Sequence, residues 1–395
     1  MRMSDGVLVV LIIMLGIFAP LSTDMFLPAL DEMVEFFDTT ESTMSMALYM
    51  FMLFLAFGVL FLGPVSDKYG RRNVLIASMA LYIAASIACS IVPTIELMIL
   101  SRMLQAVGAG GGMATSVALV RDCFDGSKRK RVLAIVAVVG VLGPVLAPVL
   151  GQVIIWYLNW QATFWAPAVA ALVCLLISLA LPSDIPKERY SGSIFGAVRT
   201  MGPILRNGDF RRFCIMMNMV AFCILAYVSV SEYIYKGKGF DVGDYYSLYL
   251  ASAMIVGVVG MIVISKAAKD LSNRGHLKVM FVLTLVSVIL MWTVAGMHPL
   301  LFLIAVVPII TVSAMTRSFG YNMMLSQDIG NSGAISSVLN FVHFVFATLG
   351  MVVVINLPTG NYMESVALCF TMFLAVYAVL WLIMIVRGTT LKGFE

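Results

Sequence analysis

Residues 63–72 read Gly-Pro-Val-Ser-Asp-Lys-Tyr-Gly-Arg-Arg and lie at the junction of two long apolar runs, 43–65 and 73–92. Each run has about the 20 residues that a helix needs to cross a bilayer core about 30 Å thick. Glycine and proline mark breaks in helices, and charged residues avoid the hydrocarbon. The stretch therefore predicts a short turn between two membrane-spanning helices.

The composition places the whole chain in the same class. The 395 residues are 61% hydrophobic and only 12% charged, whereas a soluble domain has about 25% charged residues. The mean hydropathy is +1.01. These values indicate an integral membrane protein, and the net charge of +4 is not evidence of nucleic-acid binding.

Cutting the chain at charged, proline or glycine breaks gives twelve candidate spans, so we predict an all-α membrane protein with twelve transmembrane helices. The predicted spans, helices 1 to 12, are 7–30, 43–65, 73–92, 95–120, 132–156, 162–182, 211–235, 245–265, 277–296, 299–322, 335–356 and 362–386.

The positions of the basic residues predict the orientation. Under this scheme 21 of the 25 Lys and Arg residues lie on the side that holds both termini. Lys236 and Lys238 lie on the opposite side, and Arg102 and Arg317 lie inside spans. Because cytoplasmic loops carry an excess of Lys and Arg, both termini are predicted to be cytoplasmic.

The longest connection predicts the domain organisation. Residues 183–210 are polar and basic, and separate an N-terminal six-helix half, 1–182, from a C-terminal half, 211–395. Asp67 and Arg71 follow helix 2, and Asp270 and Arg274 follow helix 8 with the same spacing. This weak repeat fits transporters built from two six-helix halves.

Several motifs resemble a known family. The run 63–72 resembles the loop signature of major facilitator transporters, and Arg102 to Gly108, Arg-Met-Leu-Gln-Ala-Val-Gly, resembles their helix 4 signature. The runs 22–30, 118–122 and 143–151 resemble the Bcr/CflA branch of drug:proton antiporters. The likeness is dense over residues 20–165 and thin beyond. It implies proton-driven export of small lipophilic or amphipathic compounds.

The loop motif supplies candidate gating residues. Asp67 can interact with helix N-terminal amides, and Arg71 can pair with Asp122. The resemblance implies that these residues, together with Arg72, form an inner gate that holds the outward-open state. The alternative is that the basic residues only set the topology.

The helix 5 motif supplies candidate packing residues. Its glycines remove side-chain bulk and its prolines remove backbone donors, so close packing and a kink are expected. The resemblance implies a role in preventing proton leak between the halves, and plain packing is the alternative. The residues are Gly140, Gly143, Pro144, Pro148 and Gly151.

Asp24 and Arg102 are candidate proton-coupling residues, because ionisable residues inside spans are expensive. At 1.5 Å per residue both lie roughly 9 to 10 Å from the outer ends of helices 1 and 4. Burial raises the pKa of a carboxylate and a nearby cation lowers it. We predict that Asp24 is the principal proton carrier and Arg102 its modulator; a static ion pair is the alternative.

Four further residues are candidates in the second half. Glu232 is a candidate second proton or cation site, or an interfacial residue near a helix end. Asn340 and His343 share a face and are candidates for lining a cavity, although a buried His is often a packing residue. Arg317 is expected to extend towards the cytoplasm.

Aromatic and amide side chains are candidates for substrate binding. Twenty-nine methionines and many aromatic residues suit surfaces that accept varied shapes, although most simply fill space. The candidates with polar tips are Tyr49, Gln105, Tyr227, Tyr233 and Tyr249.

Other classes of function are disfavoured. The sequence has six scattered cysteines and no phosphate-binding loop, so we expect no disulfide framework, metal site, cofactor or enzymatic activity. We predict a monomeric, multi-pass exporter of the bacterial inner membrane, driven by the proton gradient. The alternatives are export of a dedicated metabolite or siderophore, and a non-transporting membrane sensor.

Overall fold

The computed structural model confirms an all-helical membrane protein. It describes residues 4–182, 185, 192, 193, 196, 199, 201–237, 239–329 and 332–394. Within these ranges eleven helices are long and apolar enough to cross a membrane, and one bent helix supplies a twelfth span. Lys238 and much of the predicted linker 183–210 lie outside the described residues.

The twelve spans are labelled α1 to α12 in chain order. Their bounds are α1 Asp5–Asp24, α2 Glu41–Tyr69, α3 Arg71–Ile91, α4 Ile95–Cys123, α5 Gly126–Tyr157, α6 Ala162–Leu179, α7 Gly208–Tyr235, α8 Tyr246–Ala267, α9 Asn273–Thr293, α10 Pro299–Leu325, α11 Ser332–Asn356 and α12 Tyr362–Val386. Most agree with the predicted spans to within a few residues.

Local side-chain chemistry fixes several helix starts. Thr40, Thr94 and Ser272 have extended backbone conformations and precede α2, α4 and α9. Each hydroxyl accepts a hydrogen bond from a backbone N–H in the first turn of its helix. Such a cap satisfies one of the amides that the helix itself leaves unpaired.

The first span differs from its prediction over residues 7–30. The α-helix ends at Asp24, the backbone bends at Met25 and Phe26, and a short 3-10 helix at Leu27–Ala29 leads into the helix Leu30–Phe36. Pro28 disfavours an α-helical conformation at the residue before it and has no N–H to donate. Asp24 therefore lies at a helix end, and the continuous helix assumed in the depth estimate was wrong.

The chain divides into two compact units, Met1–Arg199 and Thr200–Glu395, and the division falls within the predicted linker. The first unit packs α1 against α4, α5 and α6, α2 against α4, and α3 against α4 and α6. The second unit repeats each of these pairs with the helix number raised by six. The two units therefore share one packing scheme.

In each unit, residues that follow the last helix contact the loop after the second helix. In the first unit the Arg71 N–H donates to the Ile185 carbonyl at 2.9 Å. In the second unit, residues 388–394, here called the tail, lie at the corresponding loop. The Asn273 amide donates to the Gly393 carbonyl, and the Arg274 guanidinium lies 5.5 Å from the centroid of the Phe394 ring.

The helix α5 carries the predicted packing motif. Its arms Gly126–Gly140 and Leu142–Tyr157 meet at 41°, just before Pro144 and Pro148, which cannot donate to the preceding turn. A Cβ on Gly143 would lie 2.9 Å from the Pro20 side chain, and one on Gly151 would overlap the Met25 carbonyl. Gly140 faces open space. Two of the three glycines thus allow close contact with α1.

Candidate functional site

A buried polar cluster lies within the first unit, where α1, α3 and α4 meet. Each of its side chains is at most 7% exposed, although the helices that carry them are otherwise strongly apolar. The members of this polar cluster are Ser22, Thr23, Asp24, Tyr82, Ser86, Arg102 and Gln105.

Arg102 is the centre of the polar cluster and is fully buried. Its Nη1 donates to the Gln105 side-chain oxygen, and the Gln105 amide donates to the Ser86 hydroxyl at 2.8 Å. The same hydrogen-bond chain therefore fixes the guanidinium to α4 and α3. The Nη2 nitrogen has no hydrogen-bond partner among the described residues.

Three aromatic rings surround the same guanidinium. Its carbon lies 4.2 Å from the Phe51 ring centroid, 4.5 Å from Phe26 and 5.8 Å from Phe164. The faces of aromatic rings carry negative partial charge and attract cations, most strongly where water is excluded. The rings thus stabilise a positive charge that forms no ion pair within 4.0 Å among the described residues.

Asp24 interacts with the charge of Arg102 across the polar cluster but does not form an ion pair with it. In the described part of the chain, no carboxylate oxygen lies within 4.0 Å of an Arg102 nitrogen. The static ion pair considered as an alternative is therefore not the observed arrangement. Asp24 is 7% exposed at the broken end of α1, and Phe26, two residues on, contacts Arg102 directly.

Sequence reasoning missed much of the polar cluster. The hydroxyls of Ser22 and Tyr82 lie 2.5 Å apart, and Ser86 anchors Gln105. A signal was present, because Ser78, Tyr82, Ser86 and Ser90 recur every four residues, and all four are buried. Residues four apart lie on one face of a helix. The rings of Phe51 and Phe164 carried no comparable signal.

The gating residues form a second ionic group in the first unit. Arg71 is 1% exposed; it donates to Asp122 at 2.8 Å and also pairs with Asp67. Gly70 separates α2 from α3 with φ of +94°, a conformation that residues with a Cβ rarely adopt. Arg72 is half-buried and forms no ion pair within 4.0 Å among the described residues.

Glu232 lies in α7 and is fully buried. Its Oε1 is 3.0 Å from the Lys236 Nζ, one helical turn further on. Glu232 lies three residues before the end of α7, as the sequence indicates, and its carboxylate is buried within the protein. Lys236, counted from the sequence as a loop cation, is its partner.

Two of the candidate tyrosines lie in one aromatic group near this pair. The Tyr235 ring contacts Tyr249, Tyr246, Phe240 and Phe302, at centroid distances of 5.1 to 6.2 Å. Tyr227 joins the group through Phe302 at 5.8 Å. Tyr233 lies elsewhere, with its ring centroid 5.7 Å from that of Tyr362.

The remaining candidates are distributed over both units. His343 is buried, and its Nε2 is 3.1 Å from a nitrogen of Arg317, which lies in a π-helical turn of α10. Arg317 thus extends to α11 rather than only towards the helix end. Asn340 and Tyr49 are half-buried. Gln105 uses both ends of its amide inside the polar cluster.

The helix arrangement agrees with comparisons to known proteins. The profile of the Major Facilitator Superfamily matches residues 12–351. The chain belongs to this superfamily. It is therefore a multi-pass membrane transporter rather than an enzyme.

Relatives of this transporter include drug-resistance proteins. The chain is 25% identical over 342 residues to an uncharacterized transporter of the same type, YdgK of Bacillus subtilis, covering 85% of each chain. It is 32% identical over 149 residues to a chloramphenicol resistance protein of Pseudomonas aeruginosa, covering 36% of each. It is 34% identical over 130 residues to the multidrug resistance protein MdtL of Escherichia coli, covering 32% of this chain and 33% of MdtL.

Solved structures show the same fold. A D-xylose–proton symporter matches with a TM-score of 0.75 at 13% identity, covering 98% of this chain and 99% of the other. The nucleoside transporter NupG matches with a TM-score of 0.71, also at 13% identity, covering 96% and 100%. At this identity the likeness concerns the fold alone.

Proposed function

We propose that this transporter is a proton-coupled antiporter that exports small lipophilic or amphipathic compounds by alternating access. It works as a monomer in the bacterial inner membrane, with both termini in the cytoplasm and the proton gradient as its energy source. The observation that carries the proposal is a buried carboxylate, Asp24, that shares a polar cluster with a buried guanidinium without pairing to it.

The separation of Asp24 from Arg102 suits a proton carrier. A carboxylate locked in an ion pair holds its charge, whereas one at a distance can take up and lose a proton at a lower cost. Arg102 still biases the charged form of Asp24 through space. The aromatic cage allows Arg102 to remain charged in both protonation states of Asp24.

The position of Asp24 can link protonation to movement. Asp24 ends α1, and the non-helical Met25 and Phe26 lead directly to the ring that contacts Arg102. A change of charge at Asp24 alters its attraction to Arg102 and therefore the balance between conformations that place them differently. The ionic group around Arg71 is the proposed inner gate, because its charged members Asp67, Arg71 and Asp122 come from three helix ends and can separate.

The proposed substrates rest on chemistry and on relatives. The candidates Tyr49 and Asn340 are half-buried and uncharged, which favours compounds with large apolar surfaces. Two relatives are named for chloramphenicol and multidrug resistance. Chloramphenicol is therefore the first compound to test.

The experiment uses purified protein in liposomes that contain a pH-sensitive dye. Adding chloramphenicol or another amphipathic compound to one side is expected to move protons in the opposite direction. Asp24→Asn should abolish this proton movement while the protein stays folded, and Arg102→Lys should reduce it strongly, because a lysine cannot keep the planar contact with three rings.

Asp38→Asn is the matched control. Asp38 is exposed and has φ of +46°, a conformation that asparagine tolerates. Its substitution should leave proton movement unchanged. Proton movement that persists in Asp24→Asn would remove Asp24 from the coupling mechanism. Proton movement only with a siderophore or a single metabolite would favour a dedicated exporter, and no response to any compound would favour a sensor.

A further inference from the structure

A membrane span of the second unit contains a cation without a described carboxylate partner. Arg317 lies in α10, eight residues before the helix ends at Leu325, which corresponds to roughly 12 Å along the helix. The residue is exposed, and among the described residues no carboxylate oxygen lies within 4.0 Å of its nitrogens. Charged residues at such a depth usually face the bundle interior or a water-filled cavity and mark a substrate pathway.

The side chain of Arg317 does not extend to the nearer helix end. Its Nη2 lies 3.1 Å from the Nε2 of His343, which is buried. His343 lies eleven residues after the start of α11, roughly 16 Å along that helix. Because a short loop joins the end of α10 to the start of α11, His343 lies deeper in the span than the Arg317 backbone. Arg317 therefore extends inwards, whereas an arginine that only avoids hydrocarbon extends towards the membrane surface.

The contact with His343 leaves the charge of Arg317 in place. An arginine side chain has only hydrogen-bond donors, so the His343 Nε2 accepts and the ring proton lies on Nδ1. The imidazole is therefore neutral and does not balance the guanidinium. Its Nδ1 is buried and has no hydrogen-bond partner among the described residues, although buried polar groups in native proteins are nearly always paired. The histidine thus positions the guanidinium while one of its own nitrogens stays unsatisfied.

The backbone around Arg317 is held by two neighbouring helices. Residues Thr316–Gly320 form a π-helical turn, a feature that is frequent at functional sites. Directly after it, the Tyr321 hydroxyl donates to the Asn218 side-chain oxygen of α7 at 2.8 Å. The turn is attached to α11 through Arg317 and to α7 through Tyr321, so the guanidinium has a defined position.

The guanidinium of Arg317 differs from the two buried ones of the first unit. Arg71 contacts two carboxylates, and Arg102 is enclosed by three aromatic rings. The Arg317 side chain forms a hydrogen bond with His343 and with no other described residue, and a guanidinium has five N–H donors. Most of its donors are therefore free to bind a ligand.

We propose, as a refinement that rests on the proposed function, that Arg317 binds the carboxylate of amphipathic organic acids, which the transporter exports. The remaining N–H groups of the guanidinium form a planar fork that matches the two oxygens of a carboxylate. His343 is a positioning residue that holds this fork. Asn340 is half-buried three residues before His343, on the same face of α11, and supplies a further amide.

The surroundings of Arg317 favour acids with an apolar body. The helices α10 and α11 are strongly apolar, so an acid with an aromatic or aliphatic body gains burial that an inorganic anion does not. A lipid phosphate has the same charge but stays near the membrane surface, whereas Arg317 extends inwards from the end of α10. The ligand is therefore an organic acid rather than a lipid headgroup.

The test measures binding of radiolabelled phenylbutyrate to the purified full-length protein in phosphatidylcholine nanodiscs, at neutral pH and without a proton gradient. Arg317→Gln keeps a polar side chain but removes the charge, and should weaken binding by at least about tenfold. Arg317→Lys keeps the charge but loses the planar fork, so its affinity should lie between those of Arg317→Gln and the unaltered protein.

Arg387→Gln is the matched control for the change of charge. Arg387 is an exposed arginine directly after α12 in the same unit. Its substitution should change the affinity for phenylbutyrate by less than about twofold, because salt screens an exposed charge. Full affinity in a folded Arg317→Gln protein would overturn the proposal.

The positioning role of His343 is tested by rescue. His343→Leu removes the acceptor for Arg317 and should weaken phenylbutyrate binding by about threefold or more. His343→Gln restores an acceptor oxygen and should bind more tightly than His343→Leu. Equal affinities of these two variants would contradict the role of His343.

Competition on the unaltered protein covers the case in which the variants fail to fold. Unlabelled phenylbutyrate should displace the label, and phenylbutanol and phenylbutylamine at the same concentration should displace far less. Equal displacement by phenylbutanol would show that the negative charge is not recognised. Dihexanoylphosphatidylglycerol should compete no better than dihexanoylphosphatidylcholine, and stronger competition would assign the site to a lipid headgroup and overturn the proposal.

The outcome is separable from that of the proposed function. If chloramphenicol drives Asp24-dependent proton movement but Arg317→Gln binds phenylbutyrate normally, only the carboxylate site is wrong. If phenylbutyrate binds through Arg317 but no compound moves protons, the carboxylate site stands and the coupling scheme fails.

Discussion

The two halves of the transporter use one helix-packing scheme and place different charges in it. The contacts among α1 to α6 recur among α7 to α12. In the first half, Arg71 pairs with Asp67 and Asp122 at the loop after α2. At the same loop of the second half, Arg274 lies over Phe394 of the tail, and no described carboxylate lies within 4.0 Å of its nitrogens.

The difference shows which properties a structural repeat preserves. Helix packing depends on the sizes of side chains along an interface, and many sequences satisfy it. An ion pair requires particular charges at particular positions, so it is lost or replaced by a few substitutions. The repeat therefore predicts where helices meet, but each half must be examined separately for its chemistry.

The largest expected effect is at Arg71. Arg71→Ala removes the buried guanidinium between Asp67 and Asp122, whose side chains are 37% and 13% exposed and still lie within 4.0 Å of Arg121. The loss of these charged hydrogen bonds should destabilise the protein by about 2–3 kcal/mol. Arg274→Ala removes only an exposed contact with an aromatic ring, worth about 0.5–1 kcal/mol. Thermal unfolding in detergent should show a clearly larger drop for Arg71→Ala. Equal decreases in the unfolding temperature would mean that the two loops contribute equally to stability despite their different contacts.

The second prediction concerns packing, in which the halves should behave alike. A Cβ on Gly151 would overlap the Met25 carbonyl, and one on Gly350 would overlap the Phe222 carbonyl. Gly151→Ala and Gly350→Ala should each cost about 1–3 kcal/mol, because a backbone must shift. Thermal unfolding measures both.

Gly140→Ala is the control for these substitutions, because its Cβ meets no atom within 4 Å. It should be neutral or slightly stabilising, since alanine favours a helix over glycine. A marked loss of thermal stability in only one of the two variants, Gly151→Ala or Gly350→Ala, would show that α1–α5 and α7–α11 are not equally closely packed.

The smallest effect is expected at the tail. Asp209 accepts hydrogen bonds of 2.9 Å from the backbone and the hydroxyl of Thr390. Asp209→Ala should release the tail at a cost of about 1–2 kcal/mol and so raise trypsin cleavage after Lys392 by about tenfold. Asp328→Ala, which removes an exposed partner of Lys392, should change cleavage much less. Identical rates for both would show that Asp209 does not hold the tail.

Most of the fold followed from the sequence, because long apolar segments and polar turns are local signals. Twelve spans were predicted within a few residues of the helices, and the break after Asp24 was missed although Pro28 marks it. The same proline was read as part of a motif rather than as a helix breaker.

The candidate sites were predicted unevenly. Asp24, Arg102 and Glu232 stood out because charges are rare in apolar spans. The ring partners of Arg102 did not stand out, because Phe26 and Phe51 are ordinary residues in apolar segments and gain their roles from a neighbour distant in sequence. Lys236 lies four residues after Glu232, a spacing that predicts a pair on one helix face, and this signal was missed. The substrate-binding role predicted for Gln105 stays a prediction, and in the structure both ends of its amide form hydrogen bonds within the polar cluster.

The sequence by itself determined that this chain spans a membrane about twelve times, that it is a major facilitator transporter and that a few charges lie within its spans. These properties depend on how apolar each segment is and on short sequence motifs. The tertiary structure decided that Arg102 is surrounded by rings instead of paired with Asp24, and that the carboxylate of Glu232 is fully buried. Both outcomes depend on contacts between side chains that are distant in sequence, which only packing sets.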